Sequence, residues 1–276
     1  MKPAAFDYVR ARSVAEAAAL LAEGAPDARL LAGGQSLGPM LNLRLARPGR
    51  LIDLKRAAGL REVMADEATF RIGAGWTHAE IEDGAVEDPA RGMLRHVARG
   101  IAYRAVRNRG TLGGSLAHAD PAADWVSVMA ALGAVIVAQR AGGAERRIAA
   151  DGFVRGAFTT ALAPGEVLAA VEVPRLGAQA RWGYHKVCRK TGEFAKAIGV
   201  AVLDPARGLS RVLAGAVEAA PMLLPRTAAR LAEAGPDAAA AIVAEETGAA
   251  LPHLSPAERA LRAVAVRRAL AHLGGG

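Results

Sequence analysis

Two glycine-rich segments constrain this chain more than any other feature. They read Ala32-Gly33-Gly34-Gln35-Ser36 and Thr111-Leu112-Gly113-Gly114-Ser115, and each leads into an apolar stretch. Glycine lacks a Cβ atom, so the backbone there can adopt left-handed dihedral angles and bring successive amides close to an anion. A single Gly-Gly pair is more often a turn or a helix cap. Because two such segments occur together, we predict one ligand that carries two phosphates.

Length and composition predict a globular protein. The chain has 276 residues, of which 52% are hydrophobic and 22% charged. This length allows one or two domains, and we interpret it as two. The formal net charge is +8, carried mostly by arginine, but aromatic residues make up only 4%. Nucleic-acid binding usually needs basic residues interleaved with aromatic ones, or a recognisable module, so we predict no nucleic-acid partner.

The cysteine and histidine content argues against a metal site in this chain. Cys188 is the single cysteine, so the chain alone cannot form a disulfide or a multi-thiolate iron–sulfur site. The histidines show no spacing typical of metal ligands. The longest apolar stretch, residues 125–138, is interrupted by Ser127 and Gly133 and is shorter than the about 20 residues of a membrane helix. We expect no membrane span and a cytoplasmic location.

Hydrophobic periodicity predicts a mixed arrangement of strands and helices up to Pro174. Ser13 and Glu16 form a capping box that begins a helix. Helical spacing after Ser36 predicts that the first glycine segment opens a short helix. Thr77 is expected to cap a helix and Pro121 to begin one. Strands are predicted at 6–9, 29–31, 50–54, 61–64, 69–73, 134–138, 146–148 and 167–173, and helices at 13–22, 79–82 and 91–100.

The composition changes after Pro174. Residues 176–180 resemble a linker. Three strands are predicted at 182–188, 198–203 and 209–217, followed by helices at 226–234, 236–246 and 256–273. Strands followed by helices are typical of a separate small α+β layer.

Several common nucleotide and catalytic motifs are absent. The pattern G-x-x-x-x-G-K-[ST] does not occur, which argues against a nucleoside triphosphatase. Residues 73–76 begin like a dinucleotide fingerprint, but the third glycine is missing, so we interpret them as a strand end. Neither G-x-S-x-G nor H-E-x-x-H is found. These absences leave the paired glycine segments as the main functional signal.

Two long sequence blocks resemble the FAD subunits of the molybdenum hydroxylases. The first reads LLAGGQSL at 30–37, followed by NLRLARP at 42–48 and LIDL at 51–54. The second is VRNRGTLGGSLAHADPAAD at 106–124. The resemblance is strongest to the medium, FAD-binding subunit of aerobic carbon monoxide dehydrogenase. It spans essentially the whole chain, including YHKV at 184–187 and RKTGEFA at 189–195.

This resemblance implies a set of FAD-binding residues. Amides of the first segment would hold the diphosphate, residues of the second would form the opposite wall, Asp124 would bind the polyol, and Lys186 and Leu168 would lie near the flavin. An ammonium near the flavin would stabilise negative charge on the reduced ring. The alternative for Lys186 is an exposed strand lysine, and the alternative for Asp124 is an ordinary acidic residue in the first turn of a helix, where it is favourable. The predicted cofactor-binding residues are Ala32, Gly33, Gly34, Gln35, Ser36, Leu37, Thr111, Gly113, Gly114, Ser115, Asp124, Leu168 and Lys186, with no catalytic side chain and no metal ligand.

Two departures from the family pattern and one charge cluster stand out. Gln35 occupies a position where histidine is common, and Glu193 one where aspartate is common; both keep hydrogen-bonding ability. Arginines crowd the approach to the second glycine segment, as a solvated helix face or as a basic rim for FAD phosphates or a partner subunit. They are Arg95, Arg99, Arg104, Arg107 and Arg109.

The resemblance also implies a fold, a function and partners. The fold is α+β: a two-part FAD-binding domain of the PCMH type at 1–176, then a small α+β domain with a three-stranded sheet and helices at 177–276. The chain would be an oxidoreductase subunit that passes electrons through FAD. They would come from a small [2Fe-2S] subunit and a large molybdenum-cofactor subunit, in a dimer of heterotrimers. The alternatives are a stand-alone NAD(P)H-dependent flavin reductase or oxidase, and a non-catalytic nucleotide-binding assembly module.

Overall fold

A computed structural model describes residues 2–274 and contains nine helices within that range. The helices are α1 (Val14–Glu23), α2 (Leu37–Asn42), α3 (His78–Asp83), α4 (Met93–Gly100), α5 (Arg104–Arg107), α6 (Leu112–His118), α7 (Asp124–Leu132), α8 (Pro225–Ala250) and α9 (Pro256–Gly274). The strands are β1 (Asp7–Arg10), β2 (Ala28–Leu31), β3 (Arg50–Asp53), β4 (Val63–Ala65), β5 (Thr69–Gly73), β6 (Val135–Gln139), β7 (Glu145–Ala149), β8 (Val154–Gly156), β9 (Thr159–Thr160), β10 (Val167–Pro174), β11 (Arg181–Val187), β12 (Ala197–Asp204), β13 (Leu209–Gly215) and β14 (Met222–Leu223).

The N-terminal part contains two larger sheets and the small two-stranded sheet β8-β9. The first is a parallel sheet in the order β1-β3-β2, and the first glycine segment leaves it at the end of β2. The second has the order β4-β5-β10-β6-β7. The Ser13 side chain caps α1 by accepting from the Glu16 amide at 3.1 Å, as predicted. Thr77 and Glu80 form a full capping box at α3.

The C-terminal part is a sheet covered by two helices. The sheet has the order β11-β12-β13-β14, so the expectation of three strands is one short, because Met222 and Leu223 pair with β13. Helices α8 and α9 pack on this sheet. The sequence predicts two helices, at 226–234 and 236–246. In the structure both belong to α8, which is interrupted at Gly235, a residue with a non-helical φ of 82°. The mixed α+β class is therefore confirmed.

Two of the element boundaries that differ from the sequence prediction have a clear local cause. Helix α7 begins at Asp124 and not at Pro121, because the Asp120 side chain accepts from Ala122 and its carbonyl accepts from Ala123, which makes a turn of residues 120–123. Strand β13 ends at Gly215, because Ala216 has a φ of 55° and cannot continue an extended strand.

One hydrophobic cluster extends through both parts of the chain. Helix α7 is buried along its entire length and packs against β10 on one side and against β12 and β13 on the other. The cluster includes core residues of the five-stranded sheet and also Ile198, Val200 and Leu213 of the C-terminal sheet. The boundary between 176 and 177 remains a prediction, since this cluster runs across it.

Candidate functional site

The first glycine segment connects β2 to α2 and offers a run of free donors. The six amides from Ala32 to Leu37 donate to no acceptor in residues 2–274. Folded chains leave few backbone amides without a partner, so such a run, which is partly exposed, is suited to an acceptor from outside the protein. Ser36 is the N-cap residue of α2, yet its hydroxyl makes no capping bond and is free to join them.

Both glycines of this segment are required by its shape. Gly34 has a φ of 70°, which other residues rarely adopt. A Cβ atom on Gly33 would lie 2.1 Å from the carbonyl oxygen of Arg109, so only glycine permits the close approach of the two segments. The Gln35 side chain donates from Nε2 to the Gly33 carbonyl at 3.1 Å and braces the turn. The diphosphate of FAD fits this cradle of backbone donors.

The second glycine segment is not the open loop that the sequence predicted. It forms the first turn of α6, with Thr111 as the N-cap residue. Its amides have acceptors within the protein: Leu112 donates to Trp76, Gly113 to Ala74, Gly114 to the Thr111 hydroxyl and Ser115 to the Thr111 carbonyl. The expectation that these amides grip an anion is therefore wrong, because the helix and the preceding loop already use them. The Thr111 amide has no acceptor in the described chain.

Close packing explains the glycines of this second segment. A Cβ atom on Gly113 would lie 2.4 Å from the Cβ atom of Ala74, and one on Gly114 would lie 3.5 Å from that of Ala32. The two glycine segments therefore lie side by side, as the prediction of a shared ligand requires. The assignment of Thr111, Gly113, Gly114 and Ser115 to a cofactor wall stays a prediction.

Asp124 and Lys186 meet in a buried cluster between the two parts of the chain. Asp124 begins α7 and Lys186 lies on β11; the Lys186 ammonium is 3.1 Å from the Asp124 carboxylate and 3.4 Å from the Gly100 carbonyl. The Tyr184 hydroxyl donates to Asp124 Oδ1 at 2.5 Å. Asp124 and Tyr184 are each only 6% exposed. Lys186 is therefore not the exposed strand lysine of the alternative interpretation. Asp124 does lie in the first turn of α7, as its alternative expected, but it is buried and paired there.

Burial sets the protonation of this cluster. It raises the pKa of the Asp124 carboxyl, while the Lys186 ammonium and the Tyr184 phenol act in the opposite direction. Burial and the neighbouring Asp124 charge hold the pKa of Tyr184 well above its ordinary value. The phenol therefore keeps its proton and serves as a hydrogen-bond donor at neutral pH.

Leu168 is one of the buried residues of the predicted set. It is 5% exposed within the large hydrophobic cluster, on β10, which packs against α6. A register shift between Leu168 and Ala170 interrupts the pairing of β10 with β6. Its role as an apolar flavin contact stays a prediction.

His78 supports the site and was not predicted from the sequence. It is 5% exposed, and its Nδ1 accepts a hydrogen bond from Trp125 Nε1 at 3.1 Å. A Cβ atom on Gly110 would lie 2.9 Å from the His78 ring. Burial, with the nearby Arg107 charge, lowers the pKa of His78 to about 4. A neutral histidine thus links the second glycine segment to the start of α7, a contact that no local sequence signal indicates.

Two of the five arginines in the cluster form ion pairs. Arg104 bonds both Glu82 and Asp83, and Arg107 bonds Glu82 at 2.8 Å. Arg107 also donates to the carbonyls of Ile101 and Ala102. These two arginines brace the chain before α6. The remaining three, Arg95, Arg99 and Arg109, make no ion pair within 2–274.

The two departures from the family pattern have different surroundings. Gln35 braces the first glycine segment through its own turn. Glu193 pairs with Arg189 at 3.2 Å on the loop between β11 and β12. A Cβ atom on Gly192 of this loop would lie 2.6 Å from the Ala102 carbonyl, so the loop contacts the N-terminal part closely.

The described residues contain no group of three or more histidine, cysteine, aspartate or glutamate side chains arranged to hold a metal ion. Over the same residues, no helix is both long enough and apolar enough to cross a membrane.

Comparison with known proteins identifies the family. Residues 4–176 match the FAD binding domain in molybdopterin dehydrogenase. The chain is 40% identical over 213 residues to the 6-hydroxypseudooxynicotine dehydrogenase complex subunit alpha of Paenarthrobacter nicotinovorans, covering 76% of this chain and 72% of that protein. It is 36% identical over 260 residues to the carbon monoxide dehydrogenase medium chain of Hydrogenophaga pseudoflava, covering 94% and 90%.

A solved structure extends the likeness to the whole chain. The carbon monoxide dehydrogenase from Hydrogenophaga pseudoflava that lacks the Mo-pyranopterin moiety superposes with a TM-score of 0.89 at 33% identity, and covers 100% of this chain and 99% of that one. The fold and the free amide cradle thus define a flavin-binding oxidoreductase subunit. The chain belongs to the FAD-subunit family of the molybdenum hydroxylases, and FAD is its cofactor. The stand-alone reductase and the assembly module find no support in these comparisons.

Proposed function

We propose that this subunit receives electrons from [2Fe-2S] clusters on a small partner subunit and passes them through FAD to an external acceptor. A large partner subunit with the molybdenum cofactor would supply these electrons. The similar proteins are named as subunits or chains of dehydrogenase complexes, which supports a multi-subunit assembly. The chain has one cysteine, so the clusters of such a pathway must reside on other chains. The dimer of heterotrimers and the cytoplasmic location stay predictions.

The run of six free amides carries this proposal. The amides of residues 32–37 bind the FAD diphosphate, and their partial positive charges offset its negative charge without a cationic side chain. The Ser36 hydroxyl adds a further donor. The second glycine segment packs beside the first and would form the adjacent wall of the site.

The buried cluster supplies electrostatics at the flavin end. When bound, FAD supplies the transfer of electrons, and the protein supplies position and electrostatics. Asp124 orients the ribityl chain by accepting hydrogen bonds. The Lys186 ammonium stabilises negative charge in a region that excludes water, where such charge has little screening. No side chain of this chain needs to transfer a proton.

Flavin retention tests the proposal directly. The purified wild-type protein is expected to be yellow and to release FAD on denaturation. Gly33→Leu and Gly34→Leu are expected to lose FAD, because the first would clash with Arg109 and the second would force a left-handed turn on leucine. The measurement is flavin absorbance per protein, with released flavin identified by chromatography.

A remote glycine provides the control. Gly248 lies in α8, and a Cβ atom there would meet open space. Gly248→Ala should retain wild-type FAD content. Full FAD content in Gly34→Leu would contradict the role of the cradle, and colourless wild-type protein that does not take up added FAD would contradict the proposed function itself. Copurification of two partner chains tests the assembly.

A further inference from the structure

Tyr184 has no assigned role, yet its hydroxyl occupies the centre of the buried cluster. It lies on β11, two residues before Lys186, so both side chains point to the same side of the strand. The phenol donates to Asp124 Oδ1 at 2.5 Å, and the Lys186 ammonium lies 3.1 Å from the same carboxylate. One carboxylate on α7 thus receives two donors from the C-terminal sheet.

We propose that Tyr184 is a positioning residue for the flavin pocket: its phenol fixes the Asp124 carboxylate, and through it the Lys186 ammonium. This inference rests on the proposed function. Tyr184 holds the carboxylate at one rotamer and leaves Lys186 paired on the other side. Without the phenol, Asp124 would turn toward Lys186, and neither group would remain where the cofactor needs it.

The surroundings of Tyr184 favour this role over simple packing. The His96 ring on α4 meets the Tyr184 ring edge-on, with centroids 6.2 Å apart. On the other side, α9 contacts the strand through His272 Nδ1, which lies 3.1 Å from the Tyr184 carbonyl. The ring thus packs against the N-terminal part while the backbone of Tyr184 is held by α9. Among residues 2–274, the hydroxyl donates only to the Asp124 carboxylate.

The phenol also sets when Asp124 takes up a proton. The titratable groups that face this cluster are Lys186 from β11, Cys188 directly after that strand, His96 from α4 and His272 from α9. A donor to the ionised carboxylate favours the charged form, so removing it raises the pKa of Asp124. Protonated Asp124 no longer holds Lys186. The pocket should then lose FAD at a higher pH than in the wild type.

Tyr184→Phe tests this inference, with Tyr8→Phe as the matched control. Tyr8 also donates to an aspartate, Asp53, but on the surface of the N-terminal sheet with 49% of the residue exposed. Apoprotein is titrated with FAD while flavin fluorescence is followed. We expect Tyr184→Phe to bind FAD about tenfold more weakly at pH 7.5, and the pH midpoint of FAD release to rise by about one unit. Tyr8→Phe should match the wild type.

The outcomes separate this inference from the proposed function. Wild-type protein that fails to bind FAD would contradict the proposed function. If the wild type binds FAD and Tyr184→Phe shows the same affinity and the same pH midpoint, the positioning role is overturned. If Tyr184→Phe does not fold by circular dichroism, Asp124→Asn carries the test, because its amide oxygen still accepts from Tyr184 but does not titrate. If Asp124→Asn releases FAD at the same acidic pH midpoint as the wild type, the inference is also overturned.

Discussion

At the scale of the residue, the site depends on neutral and charged side chains buried where water cannot screen them. His78 shows this most clearly, since it lies under Gly110 and accepts from Trp125 while keeping no charge. The sequence contains His78 two residues after Trp76 without any pattern that marks it. Only the folded chain brings it to Trp125, 47 residues away.

Acid should destabilise the protein in part through His78. Its pKa is lowered from 6.5 to about 4, so between these two pH values the histidine is protonated in the unfolded chain and neutral in the folded chain. The free energy of unfolding should fall as pH drops from about 6.5 to 4, by about 3 kcal/mol from this group. Denaturant unfolding of wild type and His78→Asn across this range measures the difference, since asparagine can still accept from Trp125.

The control is an exposed histidine, His253, whose side chain is 53% accessible. His253→Asn should keep the wild-type dependence on pH. An identical slope in His78→Asn and wild type would contradict the assignment of acid sensitivity to His78.

At the scale of the element, α9 lies unusually close to its sheet. A Cβ atom on Gly183 of β11 would be 1.8 Å from the Ala269 carbonyl, and one on Gly199 of β12 would be 2.2 Å from the Ala265 carbonyl. Both strands thus use glycine where the helix backbone touches them. This approach places β11 firmly, and with it Tyr184 and Lys186.

Alanine at position 183 should push α9 away from the sheet. We expect Gly183→Ala to lower the free energy of unfolding by about 2–3 kcal/mol. The reason is that the added methyl group fits between β11 and α9 only if one of the two backbones shifts. Urea unfolding measures this. Gly152→Ala is the control, since a Cβ atom there meets open space. Equal stability of Gly183→Ala and wild type would mean that α9 sits further from β11.

The same elements show how far the sequence predicts the fold. The helix at 256–273 and the strand at 167–173 follow from hydrophobic periodicity, and both are confirmed, as α9 and β10. The caps at Ser13 and Thr77 are also confirmed. The capping box predicted for Ser13 and Glu16 is incomplete, because the Glu16 carboxylate accepts from the Arg12 amide instead of the Ser13 amide. The sequence did not predict that Gly113 belongs to a helix. A Gly-Gly pair has the same sequence whether its amides are left open for a ligand or its missing side chains allow another backbone to pack closely. Only long-range packing distinguishes these two roles.

At the scale of the whole molecule, the two parts share interior contacts as well as a core. Trp182 on β11 donates to the Arg91 carbonyl at 3.1 Å, and Arg211 on β13 bonds both Ala130 and Asp151. Such contacts join the two parts into one cooperative unit, so we expect both parts to unfold together.

We therefore expect a single cooperative unfolding transition. Scanning calorimetry should show one endotherm whose calorimetric and van't Hoff enthalpies agree. FAD at 100 times its Kd should add about 2.7 kcal/mol of stability. Riboflavin is the matched control, since it lacks the diphosphate and should stabilise less. Two well-separated endotherms would contradict the shared core.

The contact of Gly33 with Arg109 has a consequence for biogenesis. On the proposed function, the donors for the diphosphate take their place only after Gly33 and Arg109, which are 76 positions apart, have come together. Lys186 joins the site only when β11 has formed. Contacts of such long range form late in folding. A chain that is still being synthesised on the ribosome therefore lacks a complete flavin site. FAD must bind after the C-terminal sheet has been released and has folded, so it does not direct the earlier folding steps.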